Sequence, residues 1–248
     1  METSNIKWPK NARATVSLTY DDGIESHPRA VAPLLEKYGL RGTFYAPLTS
    51  DLMQHPTEWR AMAAKGHELG NHTVFHPCWN IRDRYSEWLP EAQNLVNYTE
   101  ERWLDEINTA NQALFLVDGK RERTFGNTCF DNFLGPEDAP ICLEPLIEKA
   151  FLGARGEGTG KPVNLAQINF NNLGTVWADR RSFGDFSAEL EMLLDTGGWI
   201  IYTFHGVGPV HNHHILEEEH LRLIDFLADN KDKFWTAPVI DVVRHLKK

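Results

Sequence analysis

The chain has 248 residues, of which 42% are hydrophobic, and its formal net charge is -10. This length and composition provide enough apolar side chains for a substantial core, and we expect a single domain over residues 1–248. The negative charge and the lack of a basic cluster argue against nucleic acid as a partner, because proteins that bind the phosphate backbone carry a face rich in Lys and Arg.

No segment contains the roughly 20 consecutive apolar residues that a membrane span needs, so no membrane insertion is expected. The first residues, METSNIKWPKNAR, lack the apolar core of a secretion signal. We therefore expect a cytoplasmic protein, or a secreted one if a leader has been removed. The three cysteines, Cys78, Cys129 and Cys142, lack C-x-x-C spacing and are expected to be reduced and buried.

Apolar, β-branched runs alternate with helix-like stretches along the chain, which is typical of βαβ units. In chain order the first half predicts a strand at Ala14–Tyr20, a helix at Pro28–Tyr38, a strand at Gly42–Leu48, a helix at Pro56–Lys65, a strand at His67–His72 and a long helix at Pro90–Leu116. The second half predicts strands at Thr124–Thr128, Ala150–Ala154 and within Gln167–Trp177, a helix at Ala188–Leu194, a strand at Trp199–Phe204, a helix at Ile215–Asp229, a strand at Lys233–Trp235 and a helix at Val239–Leu246. Seven or eight strands in this pattern favour an α/β fold, a closed or nearly closed (β/α) barrel, with an open doubly wound sheet as the alternative.

Polar residues follow three of the predicted strands, at the end where barrel enzymes carry their chemistry. They are Asp21 and Asp22 in T-Y-D-D-G, His72 and His76 in H-T-V-F-H, and His205 in F-H-G-V. Two imidazoles and one carboxylate with an open position suit a catalytic zinc ion, and cobalt or nickel would also fit. The remaining carboxylate would serve as a base, although spacing alone does not say which Asp has which role.

These three motifs resemble the metal-dependent polysaccharide deacetylases (the NodB-homology domain, carbohydrate esterases that act on acetylated sugars). The resemblance extends from Ala14 to about Leu246 and implies a distorted (β/α) barrel of about seven parallel strands. It implies that Asp21 is the general base, that His205 is the general acid, and that the metal ligands are Asp22, His72 and His76. The expected activity is removal of acetyl groups, N-acetyl first, from a polysaccharide or oligosaccharide, which is hydrolysis of a carbon-nitrogen bond outside peptides.

The middle of the chain departs from the family pattern. Members carry an Arg-containing segment rich in Pro and Tyr, whereas Thr124–Cys129 reads T-F-G-N-T-C. We expect Arg155, at the end of another predicted strand, to supply the guanidinium that pairs with the base. Trp79, three residues after His76, is a candidate for stacking on a sugar ring.

Other features do not indicate a further cofactor. Arg155–Pro162 lacks the first Gly and the final Ser or Thr of a phosphate-binding loop, so no nucleotide is expected. A cluster of histidines beyond His205 is interpreted as a solvated loop and helix start; its members are His211, His213, His214 and His220. Three alternatives stay open: a hydrolase of a non-sugar linear or cyclic amide, a non-catalytic module that binds metal or glycan, and an interaction protein in which these polar groups are unrelated.

Overall fold

The computed structural model describes residues 6–82 and 86–248. Within them the strands are β1 (Ala14–Tyr20), β2 (Thr43–Ala46), β3 (Glu68–Asn71), β4 (Phe125–Gly126), β5 (Phe133–Leu134), β6 (Ile141–Cys142), β7 (Ala154–Arg155), β8 (Val176–Trp177), β9 (Trp199–Phe204), β10 (Gly206–Val207), β11 (His214–Ile215) and β12 (Phe234–Thr236). The α-helices are α1 (Ala32–Lys37), α2 (Asp51–Gln54), α3 (Pro56–Ala64), α4 (Glu100–Asp118), α5 (Glu144–Ala150), α6 (Phe183–Thr196), α7 (Glu217–Asp229) and α8 (Val239–Leu246). No helix in this part of the chain is long and apolar enough to cross a membrane.

The main sheet of the described residues is parallel, in the order β7-β4-β3-β2-β1-β9-β8, and β12 pairs with the first half of β1. Its two edges meet, because Leu173, just before β8, donates from its backbone N–H to the carbonyl of Ala154 at 2.8 Å and accepts from the N–H of Gly156 at 2.9 Å. The predicted distorted (β/α) barrel is therefore confirmed.

The long central strands β1 and β9 are buried on both faces, which explains their continuous apolar sequences. One face of β1, with Val16, Leu18 and Tyr20, packs in the main hydrophobic cluster between sheet and helices. The alternating residues Ser17 and Thr19 point to the other face, where their hydroxyls donate to the carbonyls of Ala237 and Tyr202. The interior of the barrel is thus partly polar, and neighbouring backbone carbonyls accept the hydrogen bonds of Ser17 and Thr19.

The predicted helix at Pro90–Leu116 begins too early. The observed helix α4 starts after Thr99, whose hydroxyl caps the N–H of Arg102, and residues 91–97 form two short 3₁₀ turns instead. Leu95 and Tyr98 belong to the same buried cluster as Trp103, so their apolar spacing reflects packing of the turns and not a continued helix. The predicted strand at Ala150–Ala154 is likewise shifted, because α5 runs to Ala150.

The expectation of reduced, buried cysteines is wrong, because two of the three form a disulfide and the third is exposed. Cys78 and Cys129 form a disulfide, with Cα atoms 5.7 Å apart, whereas Cys142 is a free, exposed cysteine. The two cysteines lie 51 residues apart in sequence, and only the pairing of β3 with β4 brings the loops that carry them together. The disulfide joins the loop after β3 to the turn after β4.

Candidate active site at the carboxyl ends of the strands

The motif T-Y-D-D-G forms a tight turn at the end of β1. Asp21 continues the strand pairing, since its N–H donates to the carbonyl of Phe204 at 2.9 Å. Asp22 and Gly23 then adopt positive φ angles of 72° and 59°. A Cβ on Gly23 would lie 2.2 Å from the hydroxyl oxygen of Ser50, so only glycine fits here. The turn sends the two neighbouring carboxylates in different directions.

The Asp22 carboxylate faces the two histidines that follow β3. Its Oδ1 lies 3.7 Å from Nε2 of His72 and 3.2 Å from Nε2 of His76. Burial would raise the pKa of the Asp22 carboxyl, but the imidazoles of His72 and His76 outweigh this effect and hold that pKa well below the usual range. Asp22 is therefore ionised and available as a ligand.

His72 is oriented by a backbone carbonyl. Its Nδ1–H donates to Gly126 at 2.7 Å, which leaves the lone pair on Nε2 pointing at Asp22. Burial lowers the pKa of His72 below its ordinary value, even though Asp21 and Asp22 act to raise it, so the ring is neutral near neutral pH. This is the protonation state that metal coordination requires.

The loop that carries His76 is tightly constrained. Thr73 and His76 both have positive φ angles, 67° and 57°, and the Thr73 hydroxyl accepts the N–H of His76 at 2.9 Å. Glu106 of α4 accepts the N–H groups of Val74 and Phe75 through its Oε1, at 3.1 and 2.9 Å. The Cys78–Cys129 disulfide fixes the far end of the loop. Nothing in the sequence pattern had pointed to Glu106 or the disulfide as supports for His76.

Asp22, His72 and His76 form a group whose ligand atoms all lie within 4.8 Å of one another. Oδ1 of Asp22 is buried and has no hydrogen-bond partner of acceptable geometry among the described residues. An orphaned carboxylate oxygen facing two imidazole nitrogens is costly unless a cation is bound between them. The three residues therefore fit a divalent metal ion, as two nitrogen ligands and one oxygen ligand with room for further ligands.

Asp21 pairs with Arg155, as expected. Nη2 of Arg155 lies 2.7 Å from Oδ2 of Asp21, and both side chains are almost fully buried, at 0% and 5% exposure. Gly126 makes this pairing sterically feasible, because a Cβ there would lie 2.8 Å from Nη2 of Arg155. Oδ1 of Asp21 has no hydrogen-bond partner. One oxygen is thus anchored and the other is free to accept a proton.

His205 is paired with a carboxylate that the sequence analysis missed. Its Nδ1 lies 2.6 Å from Oδ2 of Asp179, which follows β8, and its own backbone N–H donates to Oδ1 of the same residue at 3.1 Å. Burial would lower the pKa of His205, but the hydrogen bond with Asp179 and the charges of Asp21 and Asp22 outweigh it and raise that pKa. The imidazole is therefore held in its protonated form to higher pH than an ordinary histidine.

The backbone of His205 is held by a buried histidine. Nε2–H of His27 donates to the carbonyl of His205 at 2.9 Å, and burial lowers the pKa of His27 to about 4, so His27 is neutral. Together, Asp179 and His27 fix the ring and the main chain of His205. Nε2 of His205 faces the metal-site carboxylate, 3.9 Å from Oδ2 of Asp22.

An open cavity of about 560 Å³ is lined by Asp21, Asp22, His76 and His205 among other residues. Two tryptophans flank it: Trp88, 62% exposed, lies beside His76, and Trp177, 37% exposed, lies beside His205. Trp79, predicted as the stacking surface, does not line the cavity; its indole N–H donates to Gly135 and its ring packs against Phe133. The sequence pattern could not rank the tryptophans, because exposure depends on the loops around them.

The histidine cluster predicted as a solvated loop divides into three environments. His211 and His213 line the cavity, whereas His214 lies at its edge in β11. His220 is fully buried in α7, where its Nε2 hydrogen-bonds with the hydroxyl of Tyr20 at 2.8 Å. The interpretation as solvent-exposed residues is therefore wrong for His220, whereas His211 and His213 lie in a partly solvated loop that also lines the cavity.

Comparison with known proteins shows a family relationship over the first half of the chain. Residues 9–127 match the family model of polysaccharide deacetylases. Among curated proteins, a gellan lyase from Bacillus sp is 35% identical over 69 residues, which are 28% of this chain and 3% of that protein. The peptidoglycan-N-acetylmuramic acid deacetylase PdaA of Bacillus subtilis is 26% identical over 113 residues, which are 45% of this chain and 36% of that protein. The chain thus spans well under two thirds of either relative.

Solved structures extend the similarity of fold to the whole chain. A protein from Mycobacterium smegmatis assigned to the polysaccharide deacetylases has a TM-score of 0.64 at 16% identity, over 98% of this chain and 93% of that one. A Puue allantoinase also has a TM-score of 0.64 at 16% identity, over 96% and 91% of the two chains. At these identities the likeness establishes the shared barrel only.

Proposed function

We propose that the chain is a metal-dependent hydrolase that removes acetyl groups, most of all N-acetyl groups, from a carbohydrate, because residues 9–127 match the polysaccharide deacetylase family. The observation that carries this proposal is the convergence of three groups of side chains on one cavity. The candidate metal ligands surround Oδ1 of Asp22, the Asp21–Arg155 pair offers a base, and the His205–Asp179 pair offers an acid.

We propose zinc as the metal, held by Asp22, His72 and His76, since two imidazoles and a carboxylate with open positions are a catalytic zinc set. When bound there, the ion would polarise the acetyl carbonyl and lower the pKa of water in the cavity. Cobalt or nickel has compatible ligand preferences.

The protein's own groups supply the proton transfers. Asp21 accepts the proton of the attacking water through its free Oδ1, while Arg155 holds Oδ2 in place. His205, protonated because of Asp179, donates from Nε2 to the departing nitrogen of the sugar. This donation is essential for an amide, because an unprotonated amine leaves poorly. Trp88 and Trp177 provide aromatic faces at the cavity walls that suit a sugar ring.

The proposal is tested by metal analysis joined to acetate release. The purified protein should contain about one divalent ion per chain and should release acetate from N-acetylglucosamine oligomers or peptidoglycan more efficiently than from O-acetylated xylan. Chelation should remove the ion and abolish acetate release. His72→Ala should lose the metal, whereas His55→Ala, at an exposed histidine, should keep it. A protein without metal whose hydrolysis resists chelation would refute the proposal.

A second candidate is hydrolysis of a small non-sugar amide, such as a cyclic ureide. It is favoured by the equal structural similarity to the allantoinase and by the unusual segment Thr124–Cys129 beside the cavity. The same panel should therefore include cyclic ureides, assayed by formation of the ring-opened acid. Turnover of these compounds without acetate release would replace the deacetylase proposal with this one.

A further inference from the structure

The loop between β10 and β11 returns to the cavity and carries His211 to its wall. The loop is held at both ends, because the N–H of Gly206 donates to the carbonyl of His213 at 3.0 Å and that of Gly208 donates to Ile215 at 2.9 Å. His214 supports it from inside, with Nδ1 placed 2.8 Å from the carbonyl of His211. The position of His211 is therefore set by the fold.

The His211 ring lies parallel to that of His205, with an interplanar angle of 7° and centroids 5.8 Å apart. Both rings turn Nε2 towards Oδ2 of Asp22, at 3.7 Å for His211 and 3.9 Å for His205. The two imidazoles differ in what holds Nδ1. In His205 it is the Asp179 carboxylate, whereas in His211 it is the backbone of the loop.

The backbone contacts and the nearby carboxylate select the tautomer of neutral His211. Nδ1 accepts the N–H of His213 at 3.1 Å when the ring proton is on Nε2. In the other tautomer Nδ1–H would donate to the carbonyl of His213 at 3.0 Å, and the Nε2 lone pair would face a carboxylate oxygen of Asp22. Since a lone pair and an anionic oxygen repel each other, the form with Nε2–H is preferred.

His211 consequently presents its Nε2–H to the cavity as a hydrogen-bond donor. At 3.7 Å its distance to Asp22 is too long for a hydrogen bond, and the side chain is 31% exposed, so the donor is accessible to a bound molecule. Nδ1 of His211 contacts the backbone of its loop, whereas Nδ1 of the proposed acid His205 contacts the Asp179 carboxylate.

We propose that His211 is a substrate-binding residue whose Nε2–H donates a hydrogen bond to an oxygen of the substrate next to the bond that is cleaved, a hydroxyl or acyl oxygen. The proposal rests on the hydrolase function argued above and adds a contact that the family motifs do not contain. A single hydrogen bond of this kind contributes mainly to binding, so its loss should weaken substrate affinity about three- to tenfold.

The test compares three variants with the metal-loaded wild type. His211→Phe keeps an aromatic ring beside His205 but removes the donor, and it should raise KM about three- to tenfold with kcat within about twofold. His211→Gln restores an N–H donor at a similar reach and should recover most of the loss. Val210→Ala, in the same loop but exposed and not lining the cavity, is the matched control and should behave as wild type.

Each other outcome contradicts the proposal in a recognisable way. A loss of bound metal in His211→Phe would make His211 a ligand. A fall in kcat at constant KM, with a displaced alkaline limb of the pH profile, would mean that it acts through His205. Unchanged kinetics would mean that it does not touch the substrate.

A wild-type enzyme that hydrolyses neither acetylated sugars nor cyclic ureides would refute the proposed function separately. His211 is then tested by titrating acetate into the metal-loaded protein. A threefold or larger weakening in His211→Phe, recovered in His211→Gln, supports the donor role, and equal affinities overturn it.

Discussion

Two sets of buried carboxylates lie at opposite ends of the same barrel and differ in how their oxygens are satisfied. Glu68 opens β3 and accepts four hydrogen bonds: Oε1 from the N–H and hydroxyl of Thr124 at 2.8 and 2.7 Å, and Oε2 from the hydroxyl of Thr43 and the N–H of Ile240 at 2.8 and 3.0 Å. Asp21 and Asp22 follow β1, and each has an Oδ1 that is buried without a hydrogen-bond partner.

The contrast separates a structural carboxylate from a functional one. Glu68 ties β2, the start of β4 and the first turn of α8 together, and it has no remaining capacity for a ligand. Arg155 pairs with Asp21, and the imidazoles of His72 and His76 keep Asp22 ionised. Oδ1 of each aspartate nevertheless retains free lone pairs towards the cavity. Burial alone would not have distinguished the two ends, since Glu68 and Asp21 are 4% and 3% exposed.

The largest effect is expected for Asp21→Asn. The amide cannot accept the proton of water, so turnover should fall about 10²-fold or more, while metal content and substrate affinity remain. Steady-state kinetics with metal analysis on the same preparation checks this. If added metal restores turnover, or if the variant is isolated without metal, Asp21 is a ligand and its role has been exchanged with that of Asp22.

Asp22→Asn should lose activity through the metal instead. A neutral oxygen replaces an anionic one beside His72 and His76, so metal affinity should fall about tenfold or more, and excess metal should restore part of the activity. Competition with a fluorescent chelator measures the affinity. An Asp22→Asn protein that stays fully metallated and active would show that this carboxylate belongs to a solvated turn.

Glu68→Gln tests the opposite end of the barrel. The new NH₂ group would face N–H and hydroxyl groups that donate to Glu68 in the wild type, so at least one buried donor would lose its acceptor. The free energy of unfolding should therefore fall by about 1–3 kcal/mol. Chemical denaturation measures the loss, and kcat per folded molecule should be unchanged. A decrease in kcat at full folding would mean that this network also shapes the site.

Much of the barrel was predictable from the sequence, and the reasons are local. β1 and β9 were predicted with their observed bounds because a strand buried on both faces has an uninterrupted apolar sequence. The helix α8 was also predicted with its observed bounds. The start of α4 was misplaced because turns that pack against the same cluster share its apolar spacing.

The residues of the site likewise divide into those that local sequence predicts and those that only the fold brings together. Asp21, Asp22, His72, His76 and His205 all follow strands within short motifs, and the structure brings them to one cavity, with Arg155 beside them. Asp179, His211 and the Cys78–Cys129 disulfide belong to no short motif. They reach the site through the neighbouring strands β8 and β9, the β10–β11 loop and the β3–β4 pairing, which no sequence spacing encodes.

The smallest effect, and the most specific, is expected for Asp179→Asn. As the proposed acid, His205 must be protonated, so activity is present below its pKa in the folded enzyme and is lost as the pH rises through that value. Asp179 raises this pKa through the hydrogen bond to Nδ1 and its negative charge. Asparagine retains an oxygen that accepts from Nδ1–H but has no charge, so the pKa of His205 should fall and the alkaline limb of the kcat profile should move to lower pH. The acidic limb should stay in place.

The matched control for Asp179→Asn is Asp232→Asn, which removes one exposed carboxylate that does not line the cavity. It should leave both limbs of the kcat profile unchanged. A uniform fall of kcat at every pH, with the limb unmoved, would mean that Asp179 only orients the ring and that its charge does not set the proton affinity of His205. The informative result is an alkaline limb that moves in Asp179→Asn and stays in place in Asp232→Asn. It would establish that a carboxylate with both oxygens engaged, such as Asp179, can still be functional when its hydrogen-bond partner is the group that titrates, here His205. The contrast between Glu68 and the aspartates would then depend on the partner of the carboxylate as well as on its free oxygens.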